Sequence, residues 1–296
     1  MAAVASLRRQ TLPPLETIVV IDHNSELAQQ ALRELAAATV VENAETQGLS
    51  GARNTGVRIA RGDVIAFLDD DAVADDEWLE QLIRPYADPS VMAVGGTIDP
   101  LWPGSRPPML PAEFDWVVGC TYAGMPSDTT RVRNVIGANM SLRRSVFDVV
   151  GGFRTDVGRV GTLPLGCEET ELCIRVRQLM PGSQVIFEPR ARVGHRVTAD
   201  RTRWRYFRSR CYAEGLSKAV VSRHAGREDG LESERAYATR TLPRGVLRGI
   251  GDALFRGQVA GLLRATVIVG GLTWTVAGYA VGTARTRRAR PDERPT

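Results

Sequence analysis

The chain has 296 residues, long enough to bury one large core with an appendage, and its composition is that of a globular protein. Its net charge of +4 is unevenly placed: eight Arg stand against one Asp from Arg190 to Arg210, and Arg285, Arg287, Arg288, Arg290 and Arg294 follow Thr283. Cys120, Cys167, Cys173 and Cys211 form no C-x-x-C pair, which excludes zinc-ribbon and disulfide-framework spacing and fits a reduced cytosol.

Met1 to Gln10 is a short amphipathic segment that reads as the end of a helix, not as a secretory signal, and Pro13-Pro14 closes it. Glu16 to Asp22 is expected to be a strand ending in an acid. Ser25 to Ala38 has helical period behind Asn24, a good cap residue. Val40-Val41-Glu42 is a short strand, Ser50 to Arg61 a helix, and Asp63 to Leu68 a strand. Glu77 to Tyr86 reads as helix and Val91 to Ile98 as strand. This alternation predicts a doubly wound α/β domain. A helix opening such a unit is normally fed by a strand, yet the chain begins inside that helix. The expectation is a translation start upstream of Met1 and an unpaired gap between the strands at 17–22 and 64–68.

Pro100 to Thr130 is rich in Pro, Trp and Gly, and a loop that long is usually functional or mobile. Val132 to Leu142 returns to short apolar segments. A helix opening on acids lies within Gly166 to Leu179, and Val185 to Glu188 and Arg192-Val193 are short strands. From Arg201 onward the pattern is helical and basic, with Gly226 to Leu242 a linker or a second helical piece. The boundaries that follow are a main α/β domain over 1–200, a basic helical extension over 201–257, and an apolar helix with a basic tail over 258–296. Ala265 to Gly282 carries no charge over 18 residues, the length of a membrane-crossing candidate, with a basic cluster behind it. It is expected to span or lie on the inner face of the cell membrane, or to pack on the enzyme.

The most informative stretch is Val64-Ile-Ala-Phe-Leu-Asp-Asp-Asp71. Five apolar residues read as a buried parallel strand, and ligands of open α/β sheets bind at such carboxyl ends. Asp69, Asp70 and Asp71 repel one another there, and a cation relieves that repulsion. The competing reading is an acidic first turn for the next helix.

The ordered set of motifs resembles family 2 glycosyltransferases of the GT-A fold, over about Thr17 to His195. It comprises Val20-Ile-Asp22, Gly51-Ala-Arg53-Asn54-Thr-Gly56, Phe67-Leu-Asp69-Asp70-Asp71, Gly137-Ala-Asn139-Met-Ser, Gly151-Gly-Phe153, Gly166-Cys-Glu168-Glu169 and His195. The resemblance implies a Rossmann-like, mostly parallel central sheet with a C-terminal helical region. It implies that Asp22, Arg53, Asp69, Asp70 and Asn139 touch a nucleotide-sugar donor, and that Asp71 and His195 hold Mg²⁺ or Mn²⁺. Arg53 is equally readable as a surface ion pair, and Asn54 as a loop anchor. The second acid of the family's Glu-Asp motif is the general base of direct displacement. Here the pair is Glu168-Glu169, which makes Glu169 the first candidate, Glu168 the second and Glu171 a third.

The expected function is inverting transfer of a sugar to an acceptor hydroxyl for a cell-envelope glycan, a glycolipid or a secondary metabolite, in the cytoplasm. The whole-chain character resembles actinobacterial members. One apolar segment and no Gln-x-x-Arg-Trp motif argue against a processive synthase. A nucleotidyltransferase would want a Gly- and Lys-rich triphosphate loop, which is absent; a truncated, non-catalytic homologue binding a partner or membrane would explain the missing strand. The stretch Trp204 to Tyr212 is basic and aromatic, but it reads as a helix at a membrane surface or over the acceptor site, not as a nucleic-acid binder.

Overall fold

The protein is described by a computed structural model that covers residues 2–158, 165–226 and 230–288, without the side chains of Glu232 and residues 286–288. Arg290 and Arg294 of the expected basic tail, and 227–229 of the expected linker, lie outside the described residues.

Eight strands fall into two sheets among the described residues. β1 (Ile18–Ile21) and β2 (Thr39–Glu42) pair in parallel around α2 (Ser25–Glu34), which Asn24 caps by accepting the Leu27 N–H at 3.0 Å. The larger sheet contains β3 (Val64–Leu68), β4 (Ala72–Ala74), β5 (Val91–Leu101), β6 (Thr130–Arg131), β7 (Asn139–Arg143) and β8 (Gln184–Arg196). Its order is β3-β7-β5-β8-β4, with β6 added on β8. The two longest strands, β5 and β8, pair in parallel, while β7 lies antiparallel between β3 and β5 and β4 lies antiparallel to β8. Strands β3, β5 and β8 therefore point the same way, and their carboxyl ends share one edge.

The expected gap is present: β1 and β3 belong to different sheets and no ladder joins them. Val64 to Leu68 departs from the expected buried parallel strand. It is half-buried throughout, and the strand it pairs with is the antiparallel β7. The physical reason is that its other edge has no neighbouring strand among the described residues.

Helices α1 (Ala2–Leu7), α3 (Leu49–Ile59), α4 (Trp78–Ile83), α5 (Arg144–Val150) and α6 (Glu168–Leu179) surround the sheets. One core packs α4 on the sheet through Trp78, Leu82, Val94, Ile98 and Val193; the other packs α5 and α6 through Met140, Leu142, Val146, Leu172 and Val176. Each fully buried large side chain contributes roughly 1.5–3 kcal/mol.

The C-terminal region is helical: α7 (Trp204–Ala225), α8 (Glu232–Ala236), a π-helical turn over Tyr237–Thr241, α9 (Leu242–Arg256) and α10 (Ala260–Arg288). The segment expected to be a long loop is instead partly core. Its 3-10 helix, Ala112–Val118, buries Phe114 and Val117 against Phe207 and Ile268 of α7 and α10. The apolar stretch Ala265 to Gly282 forms the middle of α10, a helix long and apolar enough to cross a membrane. Its second half lies backbone-close on α7: a Cβ on Gly278 would collide with the Tyr212 carbonyl, and one on Gly215 with the Thr275 carbonyl.

Candidate active site

The acid-tipped strand ends at Leu68, and a turn closed by Ala72 N–H to Asp69 O at 3.0 Å leads into β4. Antiparallel pairing of β4 with β8 sets Ala72 opposite His195, and Arg196 donates its N–H to Asp71 O at 2.9 Å. Sheet register thus brings together residues more than a hundred positions apart. One ligand atom each from Asp69, Asp71 and His195 lie within 4.8 Å of one another. His195 is buried, with Nε2 at 3.0 Å from Asp71 Oδ1.

Two carboxylates and an imidazole suit a divalent ion of the Mg²⁺–Mn²⁺ class. Burial raises the Asp69 carboxyl, opposed by the Arg53 charge and helped by Asp71. For Asp71, burial pushes upward, but the His195 hydrogen bond and charge and the Arg201 charge outweigh it, and its pKa is lowered. Asp69, expected on the donor, lies instead within the Asp71–His195 cluster, a group that could hold a cation. Asp70 is exposed and outside it. Arg201 was missed from sequence: its Nη2 lies 3.2 Å from Asp71 Oδ2 and its Nη1 3.3 Å from His195 Nε2. Its one sequence signal was proximity, six residues past His195 in a run of arginines.

The acid pair begins α6. Cys167 just before it has φ 76°, and His23 just after Asp22 has φ 49°; these are the two non-glycine residues with positive φ among the described residues. Backbone strain of this kind concentrates where side chains must be aimed. Glu168 is buried and accepts from Arg53 Nη1 at 2.7 Å, while its Oε2 has no hydrogen-bond partner among the described residues. Glu169 is half-buried and faces a cleft of about 1160 Å³ whose walls include Trp116, Arg133, Lys218, Tyr237 and Val276. Burial first, and the neighbouring Glu168 charge second, push the Glu169 carboxyl up to about 8. Glu171, the third candidate, is withdrawn: both its oxygens accept from Arg175, at 3.0 and 2.6 Å, within the same helix.

Arg53 is a correction. Read as a donor contact or a surface ion pair, it is buried beneath the Phe153 ring. It donates to Glu168, to Gly137 O at 3.2 Å and to Asp69 at 3.4 Å. It thus ties Glu168 of the acid pair to Asp69 of the Asp69–Asp71–His195 cluster. Asn139 is a second correction. Fully buried, it donates to Thr97 O at 2.9 Å and Ala191 O at 2.8 Å and accepts from Trp78 Nε1 at 2.8 Å. Its amide is spent joining β5, β7, β8 and α4, and the motif around it reads as a structural one. Asn54 does anchor a loop, through both Phe153 backbone groups. Asp22 closes the end of β1 by accepting from Asn43 at 2.7 Å and Gly48 N–H at 2.9 Å, with a third of its side chain still exposed.

The sequence profile of glycosyl transferase family 2 matches residues 2–151. The chain belongs to this family. It is 37% identical over 222 residues to a glucosyl-dolichyl phosphate glucuronosyltransferase of Haloferax volcanii, covering 74% of this chain and 71% of that one. A pre-mycofactocin glycosyltransferase of Mycobacterium tuberculosis is 28% identical over 77% of this chain, which spans 45% of that relative's length. A mannosyltransferase from Pyrobaculum calidifontis, solved with GDP-Man and Mn²⁺, superposes with a TM-score of 0.54 at 19% identity, over 92% of this chain and 81% of that one. GalNAc-T7, solved with UDP, GalNAc and Mn²⁺, gives 0.50 at 18% identity, over 77% and 51%. The fold is GT-A, and the protein is a family 2 glycosyltransferase.

Proposed function

We propose that this transferase moves a sugar, with inversion, from a nucleoside diphosphate to a hydroxyl of a lipid-phosphate-linked acceptor at the inner face of the membrane. The observation that carries the reading is the chain Asp71–Asp69–Arg53–Glu168 leading to Glu169 at the cleft wall. Asp69, Asp71 and His195 would hold Mn²⁺ or Mg²⁺, which supplies positive charge against the departing diphosphate. Asp22, still partly exposed at the end of β1, is the remaining contact for the nucleoside. Glu169 takes the acceptor proton as that oxygen attacks the anomeric carbon opposite the diphosphate, whose bond to carbon breaks. Arg53 fixes Glu168 beside Glu169, and burial together with the neighbouring Glu168 carboxylate raises Glu169's affinity for the proton it must accept.

The acceptor class is supported by the Haloferax relative, named for a dolichyl phosphate, and by the cleft wall itself. There Trp116, Leu272, Val276 and Tyr279 share the wall with Arg240 and Arg244, a lining for an apolar chain bearing an anionic group. The test is a panel of nucleotide sugars with Mn²⁺, scored for transfer to a glycosylated polyprenyl phosphate in detergent. The expected result is transfer that Glu169→Gln removes without loss of donor binding. Transfer that survives Glu169→Gln, or that ignores the lipid phosphate, overturns the base or the acceptor respectively.

A further inference from the structure

The geometry points to a membrane contact made by the α9–α10 hairpin, lying in the lipid interface, and not by a span through α10. α9 turns back at Gly257, and α10 returns along it with Gly249 and Gly261 at the crossing, where neither backbone leaves room for a Cβ on the other. Asp252 fixes the pair internally, held by Arg264 at 2.8 Å and Arg256 at 3.0 Å. The outward face is unusual for a surface hairpin. Leu247 is 68% exposed, Leu254 71%, Phe255 87% and Val259 77%, with Leu262 and Leu263 about half exposed. A contiguous exposed apolar patch of this kind marks a protein or membrane contact.

Charge selects the occupant. Arg244, Arg248 and Arg256 are exposed on α9 beside these residues, and the described residues of the hairpin hold one acid, the internally paired Asp252. Large apolar side chains bordered by arginines suit an anionic lipid surface, with the rings and branched chains among the acyl tails and the guanidinium groups among the phosphates.

The packing of α10 argues against a span. Its second half lies against α7 at Gly215, Gly278 and Gly282. That helix carries the Arg210–Glu214–Lys218 ion pairs and Arg208 stacked on Trp274. Taking α10 across the hydrocarbon would drag those charges with it, which bilayers resist. The hairpin tip can enter without moving any of them. The acceptor cleft shares Arg244 of α9 and Leu272 and Val276 of α10 as wall residues, so the docked hairpin would set the cleft mouth beside the lipid. This contact rests on the lipid-linked acceptor for its purpose but not for its geometry.

The test is flotation of the full chain with vesicles of equal parts phosphatidylcholine and phosphatidylglycerol. Binding is expected, lost at high salt or with phosphatidylcholine alone, and weakened about tenfold or more in Leu254→Ser/Phe255→Ser. That variant is expected to keep its melting temperature and its transfer to a detergent-dispersed acceptor, because both side chains already face solvent. Phe255→Trp is expected to show blue-shifted emission on the same vesicles. Three results would overturn the inference: unchanged vesicle binding by the double variant, binding indifferent to lipid charge, or a wild-type protein that resists alkaline extraction as a spanning helix does. Loss of lipid-phosphate transfer with vesicle binding intact would instead refute the acceptor assignment and leave the hairpin contact standing.

Discussion

The tip of the main sheet and the helical wall opposite it are held by different forces. At the tip, backbone ladders aim the side chains: the register of β4 on β8 sets His195 beside Asp71. In the wall, buried ion pairs do the holding. Glu234 of α8 accepts from Nη1 and Nη2 of Arg133 and lies 2.7 Å from Lys218, which also lies 3.5 Å from Glu214. The carboxyl of Glu234 falls to about 2, because the Lys218 charge and the Arg133 hydrogen bonds outweigh its burial. The contrast teaches where each region is vulnerable. A sheet tip loses chemistry when a side chain changes but keeps its shape; a wall built on paired charges loses shape when one partner goes.

Substitutions can break that contrast. Asp71→Ala is expected to remove Mn²⁺ binding measured by calorimetry, and Glu169→Gln to slow transfer by about 10²–10⁴-fold, the latter with little change in melting temperature and the former with at most the loss of its pairs to His195 and Arg201. A large loss of stability in either would mean the tip is also a structural keystone. Glu234→Ala removes the carboxylate that Arg133 and Lys218 share, and a cost of roughly 3–5 kcal/mol in urea unfolding is expected with Mn²⁺ affinity retained. Unaltered stability would show that the ion network is not what secures the wall.

Asn139→Ala sharpens the boundary between the two regions. It strands the Thr97 and Ala191 carbonyls and the Trp78 N–H, at an expected cost of about 1–3 kcal/mol, with donor affinity unchanged. Weakened donor binding in a protein of normal stability would restore Asn139 to the donor site. The gentlest probe is pH. A base must be unprotonated to act, and Glu169 holds its proton up to about 8, so kcat/KM should climb as pH rises through that value and level off above it. A flat profile across neutral pH would remove Glu169 from the role.

Much of the site was legible because its motifs are local. The acid-tipped strand, the Glu168-Glu169 pair opening a helix and the late His195 each stand out in a short window, and Asp22 at a strand end does too. Arg53 and Asn139 were misread for one reason: their side chains are polar and lie in motif-rich segments, but sequence does not show burial, and burial had already consumed their hydrogen bonds. Arg201 was invisible because many arginines crowd its segment and only the fold gives one of them an acid to meet. Ala112–Val118 looked like loop because its apolar residues follow no regular period, although Phe114 and Val117 are core.

The sequence by itself determined the family, most of the strand–helix alternation as far as β5, the acids at the sheet tip and the separation of β1 from β3, because these depend on periodicity and on short-range chemistry. Only the tertiary structure decided which acids meet His195, that Arg53 joins the two acid groups from inside the protein, and that α10 is committed to α7 while the α9–α10 tip stays bare. Those are outcomes of register, burial and packing between segments far apart in the chain, and no local pattern encodes them.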